Sequence, residues 1–439
     1  MKECNECGRK ALSLQKHSVK SMIESLVIDN FRGIRHLSVN LGGRMNLFAG
    51  ENGAGKSTVL QAIRYLMSWY VSRMMNREGR GMMLTQKDIT QGQPFCRLII
   101  KLEDGTTWKL FKKSSKFRGK AIDRTDLSDL TALTDVMVND HERFGEYVKF
   151  PVVGFYGVDR AVAEVKPKLT KKSKMGPLDS YEIRLNNGHN FSKFFTWFRE
   201  AEDLENEEYR DKGTLLPNGQ LTAVREALGR ISPDYSHFRV SRNPRDFLMD
   251  KEGQQFSINQ LSDGEKCYLT LVGDIARMLA MTNRGDADPL SGKGCILIDE
   301  VDLHLHPVWQ SEILGRLTQI FPGCQFILTT HSPFVVSNVK SFEDDKFFLM
   351  EQCEAREVGG NTYGRRIDQI LLEFFHVESL RNSEVEKAIN QLWSHLSDKD
   401  YESEEYKRLK EWLRSRIDSS DEALARINLE EIKQKKAAR

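Results

Sequence analysis

Several short stretches are apolar without alternation. Met45-Asn46-Leu47-Phe48-Ala49, Cys295-Ile296-Leu297-Ile298 and Gln325-Phe326-Ile327-Leu328-Thr329 read as strands buried on both faces. That pattern belongs to parallel sheets covered by helices. Val152 to Arg160 and Lys346 to Glu351 contain further candidate strands. Between them, apolar residues recur at spacings of three and four. Val59, Leu60, Ile63, Leu66 and Met67 form one such stripe, and Tyr268, Leu269, Leu271, Val272, Ile275, Ala276 and Leu279 form another. Late stripes follow at Ile367, Ile370, Leu371, Phe374 and Phe375, then at Val385, Ile389, Leu392, Trp393 and Leu396, then at Tyr406, Leu409, Leu413 and Ile417. The pattern predicts an α/β fold with a helical end. We divide it into a polar tail (1–21), a first head segment (22–160), a mostly helical insertion (161–246), a second head segment (247–364) and a C-terminal helical region (365–439) whose last residues, from Lys433, fray.

The predicted strands end in chemistry. Gly50-Glu51-Asn52-Gly53-Ala54-Gly55-Lys56-Ser57-Thr58 is a phosphate-binding loop between a strand and a helix. Its backbone N–H groups, from Asn52 through Thr58, would wrap phosphates, and Lys56 would reach the β/γ-phosphates. Phosphates would then sit at a helix N-terminus, where the dipole favours anions. The Ser57 hydroxyl and the Asp299 carboxylate are candidate Mg2+ ligands. Glu300 is positioned to orient and deprotonate a water, because phosphoryl transfer needs placement and charge stabilisation above all. His331 ends the next strand and is a candidate hydrogen-bond sensor of the γ-phosphate. The cofactors implied are ATP and Mg2+. Ser262-Asp263-Gly264-Glu265 opens the second helix; alone it is a capping box. Placed shortly before the acidic strand, it also offers a helix N-terminus to a phosphate.

These motifs, in this order, make the chain resemble ABC-type ATPases of the SMC/RecF/OLD group. Ser25 to Ile34 resembles that group's N-terminal strand, and Asp299 to Pro307 its extended Walker B and D-loop. Phe194 to Glu207 resembles a helix of a bacterial branch that includes the Septu anti-phage ATPase subunit, PtuA, and retron-associated relatives. The resemblance implies an ABC-type head with a mixed sheet and an ATP site built by two chains. Asn30 and Arg32 would lie near the nucleotide. Ser262, Gly264, Glu265 and Asp302 would serve the nucleotide held by the opposite chain. The implied partners are a second head or a higher homo-oligomer, an HNH nuclease of the PtuB kind, and DNA or retron RNA/DNA. The competing reading is a RecF-like repair ATPase that binds DNA and recruits partners without a nuclease. One departure stands out: the Val152 to Arg160 segment carries no Gln where a Q-loop belongs. Asp159 or Arg160 takes that role, with Gln91 and Gln93 as weaker candidates.

Composition narrows the choice. The chain has 439 residues, 29% of them charged, and a formal charge of +2. Such balance gives no global nucleic-acid signal. Two basic stretches (Lys112, Lys113, Lys116, Arg118 and Lys120; Lys166, Lys168, Lys171, Lys172 and Lys174) read as phosphate contacts or as solvated loops, and the acidic run from Glu200 to Glu208 as a helix face. Seven cysteines argue against a disulfide framework. Cys4 and Cys7, with His17 nearby, are half a zinc site or part of a tail. No apolar run is long enough for a membrane span, so a cytoplasmic location is expected. Sustained heptads, a Toprim acidic set and a His-Asn-His cluster are not visible. A nuclease, if involved, is therefore expected on another chain, with Phe374, Phe375, Trp393 and Trp412 as core or docking residues.

Overall fold

A computed structural model describes residues 22–120, 123–145, 148–160, 191–213, 218–343, 345–377 and 379–437. The chain divides into two compact units, Met1–Arg365 and Arg366–Arg439. The tail with Cys4, Cys7 and His17, and the basic stretch from Lys166 to Lys174, lie outside the described residues.

The first unit is built on a six-stranded sheet in the order β13-β12-β3-β11-β10-β6. Its strands are β3 (Met45–Gly50), β6 (Val152–Tyr156), β10 (Gly294–Ile298), β11 (Cys324–Thr330), β12 (Lys346–Glu351) and β13 (Glu354–Glu357). All its pairings are parallel except that of β12 with β13. Every residue of β3, β6, β10 and β11 is buried, which explains their unbroken apolar runs. β12 lies beside β3 in this sheet. A second, antiparallel sheet has the order β2-β1-β4-β5, from β1 (Ile23–Phe31), β2 (Ile34–Asn40), β4 (Phe95–Leu102) and β5 (Thr107–Lys113). Helix α1 (Lys56–Met75) shares one core with both sheets, including Ile28, Leu60, Ile63, Ile100, Leu297 and Ile327. A helix covered on both sides is apolar nearly all round, so its stripe is broad. Gln325 ties the two sheets together: its side-chain amide accepts from Ile23 N–H at 2.8 Å and donates to Ile23 C=O at 2.9 Å.

The region read as a helical insertion is not wholly helical. α2 (Ser128–Phe144) precedes that region; within it, α3 (Phe191–Lys212) and α4 (Gly219–Ile231) are followed by a three-stranded antiparallel sheet of β7 (Ser236–Arg242), β8 (Arg245–Lys251) and β9 (Gln254–Ser257). The expected boundary at residue 246 falls inside that sheet. Its core is aromatic: Phe247 packs on Phe198 at 5.1 Å and on Phe194 at 5.8 Å between centroids. The acidic run is not a solvated face throughout. Glu202 is buried, and Glu205 accepts from Arg225 Nη1 at 2.9 Å. Lys116, Arg118 and Lys120 are exposed past the end of β5.

The second unit holds α8 (Ile367–Phe374), α9 (Ser383–Ser397), α10 (Glu404–Arg414) and α11 (Glu422–Ala437). Leu392, Leu396, Tyr406, Leu413, Leu424 and Ile427 form its core, and Trp393 and Trp412 pack half-buried against it. Phe374 is buried. These aromatics are thus largely spent on packing. The last helix runs to Ala437, and Glu431 within it receives Lys410, Lys435 and Tyr406. Among the described residues no helix is long and apolar enough to cross a membrane.

Candidate functional site

The phosphate-binding loop leaves the C-terminal end of β3 at Gly50, the first of its tightest points. A Cβ there would lie 2.2 Å from the Met350 carbonyl oxygen on β12, and φ is +150°. Only glycine fits beside that parallel strand. Gly53 and Gly55 also hold positive φ, and α1 starts at Lys56 with no side chain capping it. An uncapped helix start with a glycine approach is what an anion requires. Asn52, Gly53, Ala54, Gly55, Lys56, Ser57 and Thr58 all lie on this turn and first helical residues.

Lys56 is buried, and among the described residues no carboxylate bonds it. Its Nζ donates to Gly50 C=O at 2.9 Å and Glu51 C=O at 2.8 Å, and lies 3.4 Å from His331 Nδ1. Burial pushes its ammonium down to about 8, against the opposing pull of Asp299, Glu300 and Asp302. Burial and the Lys56 charge likewise hold the His331 imidazole below its ordinary value.

β10 and β11 lie side by side and deliver the acids. Ser57 Oγ donates to Asp299 Oδ1 at 3.0 Å, and Thr329 Oγ1 donates to the same oxygen at 2.5 Å. The Glu300 N–H donates to Thr329 Oγ1 at 2.7 Å and fixes Glu300 at φ +49°, a left-handed conformation rare for this residue type. Its Oε1 lies 3.9 Å from His331 Nε2. Asp302 accepts from Thr330 Oγ1 at 2.5 Å. A hydroxyl and a carboxylate 3.0 Å apart form a hard oxygen pair, and that donor set fits Mg2+. Lys56, Ser57, Asp299, Glu300, Asp302 and His331 are thus gathered at one end of one sheet.

Asn30 and Arg32 frame the β1–β2 turn with φ of 53° and 52°. Arg32 is held by Asp88, Nε to Oδ1 at 3.3 Å, and lies over the Phe31 ring at 5.0 Å. The turn approaches the loop through Cys353 on the β12–β13 connection. The Cys353 sulfur would meet a Cβ at Gly33 at 3.0 Å and one at Gly55 at 3.4 Å. Asp159 follows β6, whose Tyr156 C=O accepts from Asp299 N–H at 2.8 Å, and so stands near the same sheet end. Gln91 and Gln93 precede β4 in the other sheet.

Ser262 caps helix α5 (Asp263–Thr282) through a full capping box. Ser262 Oγ donates to Glu265 Oε2 at 2.7 Å, and Tyr235 OH donates to Glu265 Oε1 at 3.0 Å. Burial opposes, but these hydrogen bonds hold the Glu265 carboxyl below its ordinary range. Glu265 is therefore committed within its own chain, while Ser262 is exposed. Gly264 is needed in cis: a Cβ there would lie 2.2 Å from the His304 carbonyl oxygen. Its small size first serves helix packing against the segment after Glu300. Sequence reasoning passed over Thr329, Thr330 and Gln310. The signal available was two consecutive hydroxyls at the end of an apolar strand.

A P-loop, a strand-end acid pair and a strand-end histidine on one mixed sheet, with a capped helix start packed against the segment after the acids, define an ATPase head of the ABC type. The AAA domain family matches residues 25–234. The chain is 26% identical over 470 residues to "Retron Ec83 probable ATPase" of Escherichia coli, covering 93% of this chain and 86% of that one. It is 21% identical over 391 residues to "Septu protein PtuA" of Bacillus thuringiensis, covering 87% and 91%. A solved SMC head bound to the winged-helix domain of ScpA aligns at 14% identity over 76% of this chain and 96% of that one, with a TM-score of 0.42. The chain is thus similar along most of its length to a retron ATPase and a Septu PtuA protein, and residues 25–234 match the AAA domain family.

Proposed function

We propose that this chain is the ATP-hydrolysing switch subunit of a bacterial anti-phage complex: two heads close around ATP and regulate a partner HNH nuclease. The observation that supports it is the division of the site. The phosphate loop, the acids and the histidine meet at the sheet end, whereas exposed Ser262 starts a helix whose capping bonds run to its own lobe. Each chain then carries two half-sites, and a second chain completes each one. The backbone N–H groups of the loop and Lys56 hold the phosphates. Ser57 and Asp299 would hold Mg2+, which supplies charge neutralisation. Glu300 accepts the proton of the attacking water at its carboxylate, and His331 hydrogen-bonds the γ-phosphate. Likeness to the retron and Septu ATPases supports the defence setting.

The test is Glu300→Gln. It keeps the size of the side chain and removes the base. ATP turnover should fall by about a hundredfold or more. Light scattering with ATP and Mg2+ should show more dimer or higher oligomer than wild type. Wild-type turnover in this variant would place the base elsewhere, at Asp302 or His304.

A further inference from the structure

The segment after Glu300 is bonded on two sides. On one side is the His331 strand end, and each bond there has a fixed polarity. Thr330 Oγ1 gives its proton to Asp302 Oδ1 at 2.5 Å and accepts from Ser332 N–H at 2.9 Å. Ser332 Oγ accepts from Phe334 N–H at 3.1 Å and Val335 N–H at 3.3 Å, capping α7 (Pro333–Val336). Its one proton goes to Gln310 Oε1 at 2.6 Å, from a residue on α6 (Pro307–Ile320). The Gln310 amide then donates from Nε2 to Leu305 C=O at 2.8 Å. The amide has one workable orientation, because a flip would face two acceptors at Leu305. On the other side, the His304–Leu305 backbone is the surface that Gly264 approaches without room for a Cβ.

We propose that Gln310 and Thr330 are positioning residues that lock Asp302–Leu305 to the His331 strand end, and so couple the nucleotide read by His331 to the helix start at Gly264. This rests on the two-chain reading above. The helix start of one chain serves the nucleotide of the other, so the cis path from His331 through Thr330, Ser332, Gln310 and Leu305 to Gly264 links the two nucleotides of a dimer. Packed, hydrogen-bonded segments with one low-energy arrangement carry such coupling. Among the described residues, the side-chain hydrogen bonds of Gln310 and Thr330 run to Leu305, Ser332 and Asp302, not to the phosphate loop.

The variants are Gln310→Leu, which keeps bulk and loses both bonds, and Thr330→Val with Thr330→Ser as its conservative control. Affinity for a fluorescent ATP analogue should stay within about twofold of wild type, while kcat falls by about tenfold and the Hill coefficient for ATP drops to about one. Thr330→Ser should restore both. Wild-type kcat and Hill coefficient in Gln310→Leu and Thr330→Val would overturn the proposal. So would lost analogue binding, since the residues would then act on the pocket directly. If Gln310→Leu does not fold, the Thr330 pair carries the same comparison. Absence of ATP turnover and ATP-dependent dimer in the wild type would instead remove the two-chain reading, and this inference with it.

Discussion

The nucleotide end of the central sheet and the lobe that carries Ser262 both bury charge, but they treat it differently. In the lobe, Glu202 is only 4% exposed and accepts from Arg225 Nη2 at 3.0 Å, Arg242 Nη1 at 3.4 Å and Val240 N–H at 3.1 Å. Burial raises its carboxyl above the ordinary range even so, and these bonds oppose the rise. Each bond joins different elements: α3 to α4 and to β7. At the sheet end, Lys56 is held by carbonyls and an imidazole, with three carboxylates close by. The lobe's charges are neutralised where they stand and serve as a frame. The sheet end keeps an ammonium whose charge is disfavoured, which marks chemistry more than support.

Removing Glu202 should have the largest effect on stability. Glu202→Ala removes the partner that Arg225 and Arg242 share, while Arg225 keeps Glu205 and Arg242 keeps Asp203; breaking buried pairs costs about 3–5 kcal/mol where a charge is left uncompensated. Both arginines keep part of their surface in water, so we expect about 2–3 kcal/mol, read as a lower midpoint in chemical denaturation. ATP-analogue binding to the folded variant should be unchanged. Lost binding at full stability would reverse the comparison.

A smaller effect comes from pH. The depressed Lys56 pKa means that the folded chain binds fewer protons than the unfolded chain between about pH 8 and 10.5. The cost of burying the ammonium is full below that window and fades as pH rises through it. Phosphates favour the ammonium, so ATP binding above about pH 8 takes up a proton. Calorimetric affinity should weaken by about tenfold between about pH 7 and pH 9, and Lys56→Met should bind weakly with no such slope. An unchanged slope in Lys56→Met would assign the proton to another group.

What could be read in the sequence was what is local. Unbroken apolar runs marked β3, β10 and β11, and the capping box at Ser262 is contained within four residues. β7 and β8 were missed because Ser236-His237-Phe238-Arg239-Val240-Ser241-Arg242 is dominated by polar residues. Its alternation, with Phe238 and Val240 buried, was the available signal. The acidic run read as a helix face, which it is, but the burial of Glu202 within it was not legible because its arginine partners lie far along the chain. The contact of Gly264 with His304 joins residues forty apart and depends on how α5 docks. No spacing rule reports it. The same holds for Thr329 and Thr330, whose roles follow from strand pairing.

The central claim is a nucleotide site shared between two chains, and mixing two defective chains tests it most directly. Lys56→Ala removes the phosphate-loop half. Ser262→Arg obstructs the other half; it avoids Gly264, whose replacement would disturb its own chain, and loses a helix cap worth about 1 kcal/mol. Each variant alone should be nearly inactive in ATP turnover. An equimolar mixture, with heterodimers demonstrated by differential tags, should recover activity well above either variant alone, up to about a quarter of wild type, because half the dimers carry one intact site and coupling to the defective site lowers its rate. No recovery despite heterodimers would contradict the shared site.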